Sequence, residues 1–124
     1  MAPSRPDPRS LEGLLRKRAL AFPEATEDFP WGERAIKVRG KAFLFLRAEG
    51  TTVSFSVKLP ESAAEALELP FVEPTHYGLG KHGWVTATVD TTRPSPMATF
   101  ESWLTESYCA VAPKKLVAEL KAGS

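Results

Sequence analysis

The stretch AIKVRGKAFLFLRAEGTTVSFSVK, residues 35–58, constrains the fold of this chain more than any other. Apolar and polar residues alternate in 35–39, with Ile36 and Val38 on one side and Lys37 and Arg39 on the other. They alternate again in 52–58, where Val53, Phe55 and Val57 are separated by Ser54 and Ser56. A period of two is the signature of a strand buried on one face. Residues 42–47 form a mostly apolar strand between them, and Arg39-Gly40-Lys41 and Glu49-Gly50 are short enough to be turns. Three antiparallel strands in a meander follow, and such a unit needs a cover for its apolar face.

Helices flank it to supply that cover. Ser10 is a good N-cap for a helix over residues 10–22, with Glu12 in its first turn and Pro23 as its stop. Leu11, Leu14, Leu15, Arg18 and Phe22 share a face at the 3.6-residue period, and Arg16 and Lys17 lie opposite. The segment EATED reads as a polar link. After Pro60, residues 61–68 are strong helix formers that end at Pro70. Residues 84–90, WVTATVD, read as a late strand. A helix capped by Ser95 places Met97, Phe100, Trp103, Leu104, Tyr108 and Val111 toward the core, and a last helix over 113–121 buries Leu116, Val117 and Leu120. The expected architecture is α+β: an antiparallel sheet of the three-stranded meander plus a late strand, packed with N- and C-terminal helices.

At 124 residues, 43% hydrophobic and 25% charged, the chain fits one globular domain. That domain is read over residues 10–121, preceded by a flexible proline-rich arm at 1–9. No apolar run approaches the roughly 20 residues of a membrane span. MAPSRPDPRS has no apolar segment of the secretory kind, and the single cysteine, Cys109, fits a reducing cytoplasm. The expectation is a cytoplasmic monomer with no membrane association.

Residues 78–83, GLGKHG, spell G-x-G-x-x-G. That pattern cradles a pyrophosphate only when it follows a strand and opens a helix, whose N–H groups meet the phosphates. Here WVTATV follows, which is strand chemistry, so Gly78, Gly80 and Gly83 read as turn residues. His76 and His82 are spaced six apart with no second cysteine, which matches no common metal pair. No G-x-S-x-G elbow is present, and Glu61 and Glu65 have the spacing of a solvated helix face. The chain therefore reads as a non-enzyme, with no catalytic residues, no cofactor and no metal site.

The remaining signal is basic. Residues 1–58 carry 11 Lys/Arg against 7 Asp/Glu, whereas residues 59–124 carry 5 against 8. Arg34, Lys37, Arg39, Lys41 and Arg47 lie within fourteen residues, with Glu33 the sole acid nearby in sequence. A hairpin tipped with such residues can neutralise phosphates and fit a nucleic-acid groove. Lys81 and His82 mark a second basic turn, and Lys58 can join from the third strand. The ordinary alternative is a solvated sheet whose edges are protected by charge.

The order FPWGERAIKVRGKAFLFL, VSFSVKLP, GLGKHGWVTATV and SWLTESYCAVAPKKL resembles the MmcQ/YjbR family over about residues 10–121. The matching positions include Lys37-Val38, Lys41-Ala42-Phe43, Gly83-Trp84-Val85, Ser107-Tyr108 and Lys114-Lys115-Leu116. The resemblance implies a frataxin-like (CyaY-like) α+β fold and DNA binding through a double wing of hairpins. Carried onto this chain, the first wing contains Lys37, Arg39 and Lys41, and the second is the turn at Lys81-His82 before Trp84. Trp31 and Trp84 are expected to pack at the core or its rim. Iron binding of the frataxin kind would need an acidic ridge, but the first helix offers Glu12 against Arg16, Lys17 and Arg18, and Glu24, Glu27 and Asp28 are a thin substitute. The nucleic-acid expectation thus rests on Arg34, Lys37, Arg39, Lys41, Arg47, Lys81 and His82. The alternative is a small-molecule or protein-binding module of a resistance or metabolic pathway, which would use the 76–84 loop through His76, Tyr77, His82 and Trp84.

Overall fold

The computed structural model describes residues 10–29, 33–75 and 82–122. The arm expected at 1–9 and Trp31 lie outside the described residues. The first helix, α1 (Leu11–Leu20), opens on Ser10, whose side chain accepts a hydrogen bond from the Gly13 amide at 3.1 Å. Its buried face runs through Leu11, Leu15 and Ala19. Arg18, expected on that face, instead points to solvent and pairs with Glu101 at 3.1 Å.

Six strands follow: β1 (Ala25–Asp28), β2 (Arg34–Val38), β3 (Lys41–Glu49), β4 (Thr52–Lys58), β5 (Val72–Pro74) and β6 (Trp84–Asp90). They form one antiparallel sheet in the order β1-β2-β3-β4-β6-β5. The meander and the late strand stand where their alternation put them. The two edge strands are additions to the expected four. The EATED link supplies β1, and the loop before Thr75 supplies β5, a three-residue edge strand that ends in Pro74, where a missing amide costs no ladder bond.

The remaining helices are α2 (Ala63–Ala66), α3 (Met97–Val111) and α4 (Lys114–Ala122). The helix expected over 61–68 is a single turn. The Glu106 carboxylate of α3 accepts from the Glu61 and Ser62 amides at 2.9 and 3.0 Å, which fixes its start. Tight turns after Leu67 then bring Leu69 and Phe71 onto the core before Val72 enters the sheet. The N-cap position of α3 is Pro96, and no side chain caps it, so Ser95 does not serve as expected.

All four helices contribute to one core, through Leu11, Ala66, Phe100 and Leu116 among others, and pack on the sheet face carrying Leu44, Leu46, Phe55, Val57 and Val85. Phe55 meets Phe100 edge-on at 4.9 Å, and Phe22 stacks on Tyr108 at 4.7 Å. The opposite face carries Ser56 and Thr86, whose hydroxyls share a hydrogen bond of 2.8 Å. Thr75 extends the row at 3.0 Å from Thr86. Trp84 lies on this face too, 5.5 Å from Phe45, and is buried as expected for a packing residue.

Between Ile36 and Lys37 the pairing slips: Ile36 faces Leu44, but Lys37 faces Ala42, leaving Phe43 as an extra residue in β3. The gap this opens toward β4 is filled from α3. The buried Ser107 hydroxyl accepts from the Lys58 amide at 2.8 Å and donates to the Phe43 carbonyl at 2.5 Å. Next to it, the Tyr108 hydroxyl donates to the Pro23 carbonyl at 2.8 Å.

Candidate nucleic-acid interface

Two turns emerge at the same end of the sheet. The first joins β2 to β3 through Arg39 and Gly40, with φ of 52° and 80°. Positive φ at both central residues is the type I′ arrangement, whose twist suits a two-residue hairpin. At the second, the chain leaves β5 for Thr75 and returns at His82, Gly83 and Trp84. Lys58 faces Trp84 across the β4–β6 ladder, so it sits at this end as well. The two turns are three strand positions apart in the sheet, or about 14 Å at the usual spacing.

Gly83 closes this end of the sheet. Its φ is 87°, and its carbonyl accepts from the Leu59 amide at 2.8 Å. A Cβ there would lie 3.1 Å from the Leu59 carbonyl oxygen and 3.4 Å from the Pro60 Cα. The third glycine of the GLGKHG segment is thus a close-approach residue that precedes a strand. Gly78 and Gly80 lie outside the described residues, as do His76, Tyr77 and Lys81. A large groove among the described residues, about 780 Å³, lies elsewhere, between the turn before α2, α3 and α4, near Glu106 and Cys109.

The cations of the first hairpin do not stand alone. Arg39 grips Glu24 with both arms of its guanidinium, Nε to Oε1 at 2.6 Å and Nη2 to Oε2 at 2.9 Å. This hydrogen-bonded pairing lowers the Glu24 carboxyl below its ordinary range and raises Arg39. Lys37 donates to Asp28 at 3.0 Å. Both pairs remain open to solvent, with side chains 53% and 49% exposed for Arg39 and Glu24, and 32% and 60% for Lys37 and Asp28. Glu33 is therefore not the sole acid near the hairpin, because β1 and the turn before it bring three carboxylates alongside β2.

The third of these, Glu27, belongs to a different environment. Arg16 holds it bidentately at 2.7 and 3.0 Å, and Arg34 reaches it at 3.3 Å. Those hydrogen bonds and charges, Arg16 first, keep the Glu27 carboxyl below its ordinary range despite partial burial. Arg34 also reaches Glu12 of α1 at 3.5 Å, and the Phe29 ring lies 4.6 Å from its Cζ. With its side chain only 9% exposed, Arg34 is an internal tie between α1, β1 and β2, and the expectation that it contacts phosphate is corrected.

Among the described residues, Lys41 and Lys58 form no ion pair within 4 Å, and both reach the end of the sheet that holds the turns. His82 is exposed beside them. Arg47 is also exposed, but it sits six residues along β3 from Lys41, roughly 20 Å away, with Glu49 at 3.9 Å. It is not part of the tip. Lys58 thus stands where the sequence reading let it join, and one cation not expected there belongs near the tip: Lys115 of α4, whose charge acts on Glu24.

No helix among the described residues is long and apolar enough to cross a membrane. No curated protein matches the chain. Among solved structures, a Deinococcus radiodurans protein with a DUF419 domain is similar over 90% of this chain and 88% of its own, with 25% identity and a TM-score of 0.70. A Pseudomonas syringae protein is similar in fold over 77% of this chain and 93% of its own, with 16% identity and a TM-score of 0.60. The family model described as YjbR matches residues 20–110, the span that holds the whole sheet and most of α3, and the chain belongs to the YjbR family.

Proposed function

We propose that this chain is a non-enzymatic DNA-binding protein that contacts the phosphate backbone with the turns at one end of its sheet. The supporting observation is the placement of those turns. They leave the same end of the sheet about 14 Å apart, a distance comparable with the ~12 Å width of a major groove. Lys37, Arg39 and Lys41 form one contact. Lys58 and His82, with Lys81 outside the described residues, form the other.

Fluorescence anisotropy with labelled duplex DNA tests this. Four phosphate contacts, through Lys37, Arg39, Lys41 and Lys58, give a log–log salt slope near −3.6, so affinity falls roughly a hundredfold between 50 and 200 mM salt. Replacing those four residues by alanine abolishes most of that slope. An unchanged affinity in the four-residue variant overturns the proposal, and so does an absence of binding at low salt that persists when the acids paired with Lys37 and Arg39 are neutralised.

A further inference from the structure

We propose that β1 and the turn before it act as a built-in competitor of the phosphate backbone: Glu24 and Asp28 occupy Arg39 and Lys37 in the free protein, and DNA must displace them. This rests on the DNA-binding reading above and adds its regulation. The geometry of the Glu24–Arg39 pair is the first reason. A bidentate guanidinium–carboxylate fork uses the same donors, in the same arrangement, as a guanidinium–phosphate fork, so one ligand excludes the other. The Asp28 oxygen 3.0 Å from Lys37 Nζ likewise takes a donor that a phosphate would need.

Burial separates these two acids from the third. Glu27 is enclosed by Arg16 and Arg34, and its side chain is 20% exposed. The Glu24 and Asp28 side chains are 49% and 60% exposed, so water can solvate them as soon as their cations leave. The edge strand and the turn before it thus carry one structural carboxylate and two exchangeable ones, and in the sheet that strand pairs with β2 alone.

The backbone supplies the second reason. Glu24 and Arg39 are the two non-glycine residues with positive φ among the described residues, at 57° and 52°. Such residues are uncommon in this region, and asparagine or glycine would suit both positions better. These two are instead a matched acid and base that bind each other. Residues held in sparsely populated conformations cluster where a function requires them. Here the left-handed turns bring the two side chains together.

The test is a mutant cycle read by anisotropy with duplex DNA. Glu24→Gln with Asp28→Asn is made in the wild-type chain and in a K37A/R39A background. A second pair, E49Q/D90N, makes the same change of net charge at the far end of the sheet. Displacement predicts that E24Q/D28N binds about two- to thirtyfold more tightly than wild type, from the usual range for two exposed ion pairs. It also predicts that this gain vanishes in the K37A/R39A background and that E49Q/D90N gives no comparable gain. Circular dichroism confirms that each variant is folded. An equal gain in both backgrounds, or from E49Q/D90N, refutes displacement in favour of a long-range field effect. No gain while wild type binds also refutes it and leaves the DNA-binding reading standing. If neither wild type nor E24Q/D28N binds at low salt, the DNA-binding reading itself fails. Binding by E24Q/D28N alone supports the competitor in its strongest form.

Discussion

Replacing Ser107 by alanine removes a hydroxyl that serves two strands at once. In the folded chain the Lys58 amide donates to it and it donates to the Phe43 carbonyl, so S107A leaves a donor and an acceptor without partners in a site closed to water. Each unsatisfied buried polar group costs about 1–3 kcal/mol, and partial closure of the gap brings the expected total to about 2–4 kcal/mol. For a chain of this length that lowers the melting temperature by roughly 8–16 °C. Urea titration of wild type, S107A and S102A measures it, because Ser102 is exposed on the same helix and its loss should stay within about 0.5 kcal/mol. Hydrogen exchange adds a local readout, since the Lys58 amide should lose protection ahead of its neighbours in β4. A loss in S107A no larger than in S102A would mean that β3 and β4 close directly across the bulge, and the bridging role would be wrong.

Gly83→Ala should destabilise the chain by about 1–3 kcal/mol, because a Cβ would press on the Leu59 backbone while φ stays at 87°; a melt indistinguishable from wild type would show that the β4–β6 junction can relax. Glu27 yields a pH prediction with a definite sign. Its folded-state pKa lies below the ordinary 4.5, so its stabilisation is complete above that value and fades as pH falls through the folded value. The stability gap between wild type and E27Q should therefore be flat from pH 7 to about 5 and shrink below 4.5, and a gap that persists unchanged to pH 3 would contradict the role given to Arg16 and Arg34.

The central strands were legible because their inward residues are apolar at every second position. β1 was not, for a physical reason: its inward positions are Ala25 and Glu27, and a carboxylate satisfied by two arginines on other elements leaves no apolar period to read. The same pairing hid the neutralisation of the basic hairpin, since Glu24 and Asp28 lie 15 and 9 residues from their partners and meet them only across a sheet. Arg34, by contrast, could have been placed. It precedes Ile36 and Val38 at the strand period, which assigns it to the inward face. The start of α2 is fixed by Glu106, forty-odd residues away, and no local propensity reports that. Ser107 was visible as part of a family resemblance, but its chemistry depends on a bulge that exists only once β2 and β3 are paired.

The bridge at Ser107 also bears on how the protein is made. Strands β2 to β4 emerge from the ribosome long before α3, yet the seam between Phe43 and Lys58 is completed by a residue 49 positions after Lys58. The adjacent tyrosine closes a contact 85 residues back, to Pro23. Contacts of such separation form late and slow folding. Until the segment around residue 107 has left the exit tunnel, the nascent meander has an open seam and an uncovered apolar face, so this is the interval in which the chain most needs protection from aggregation.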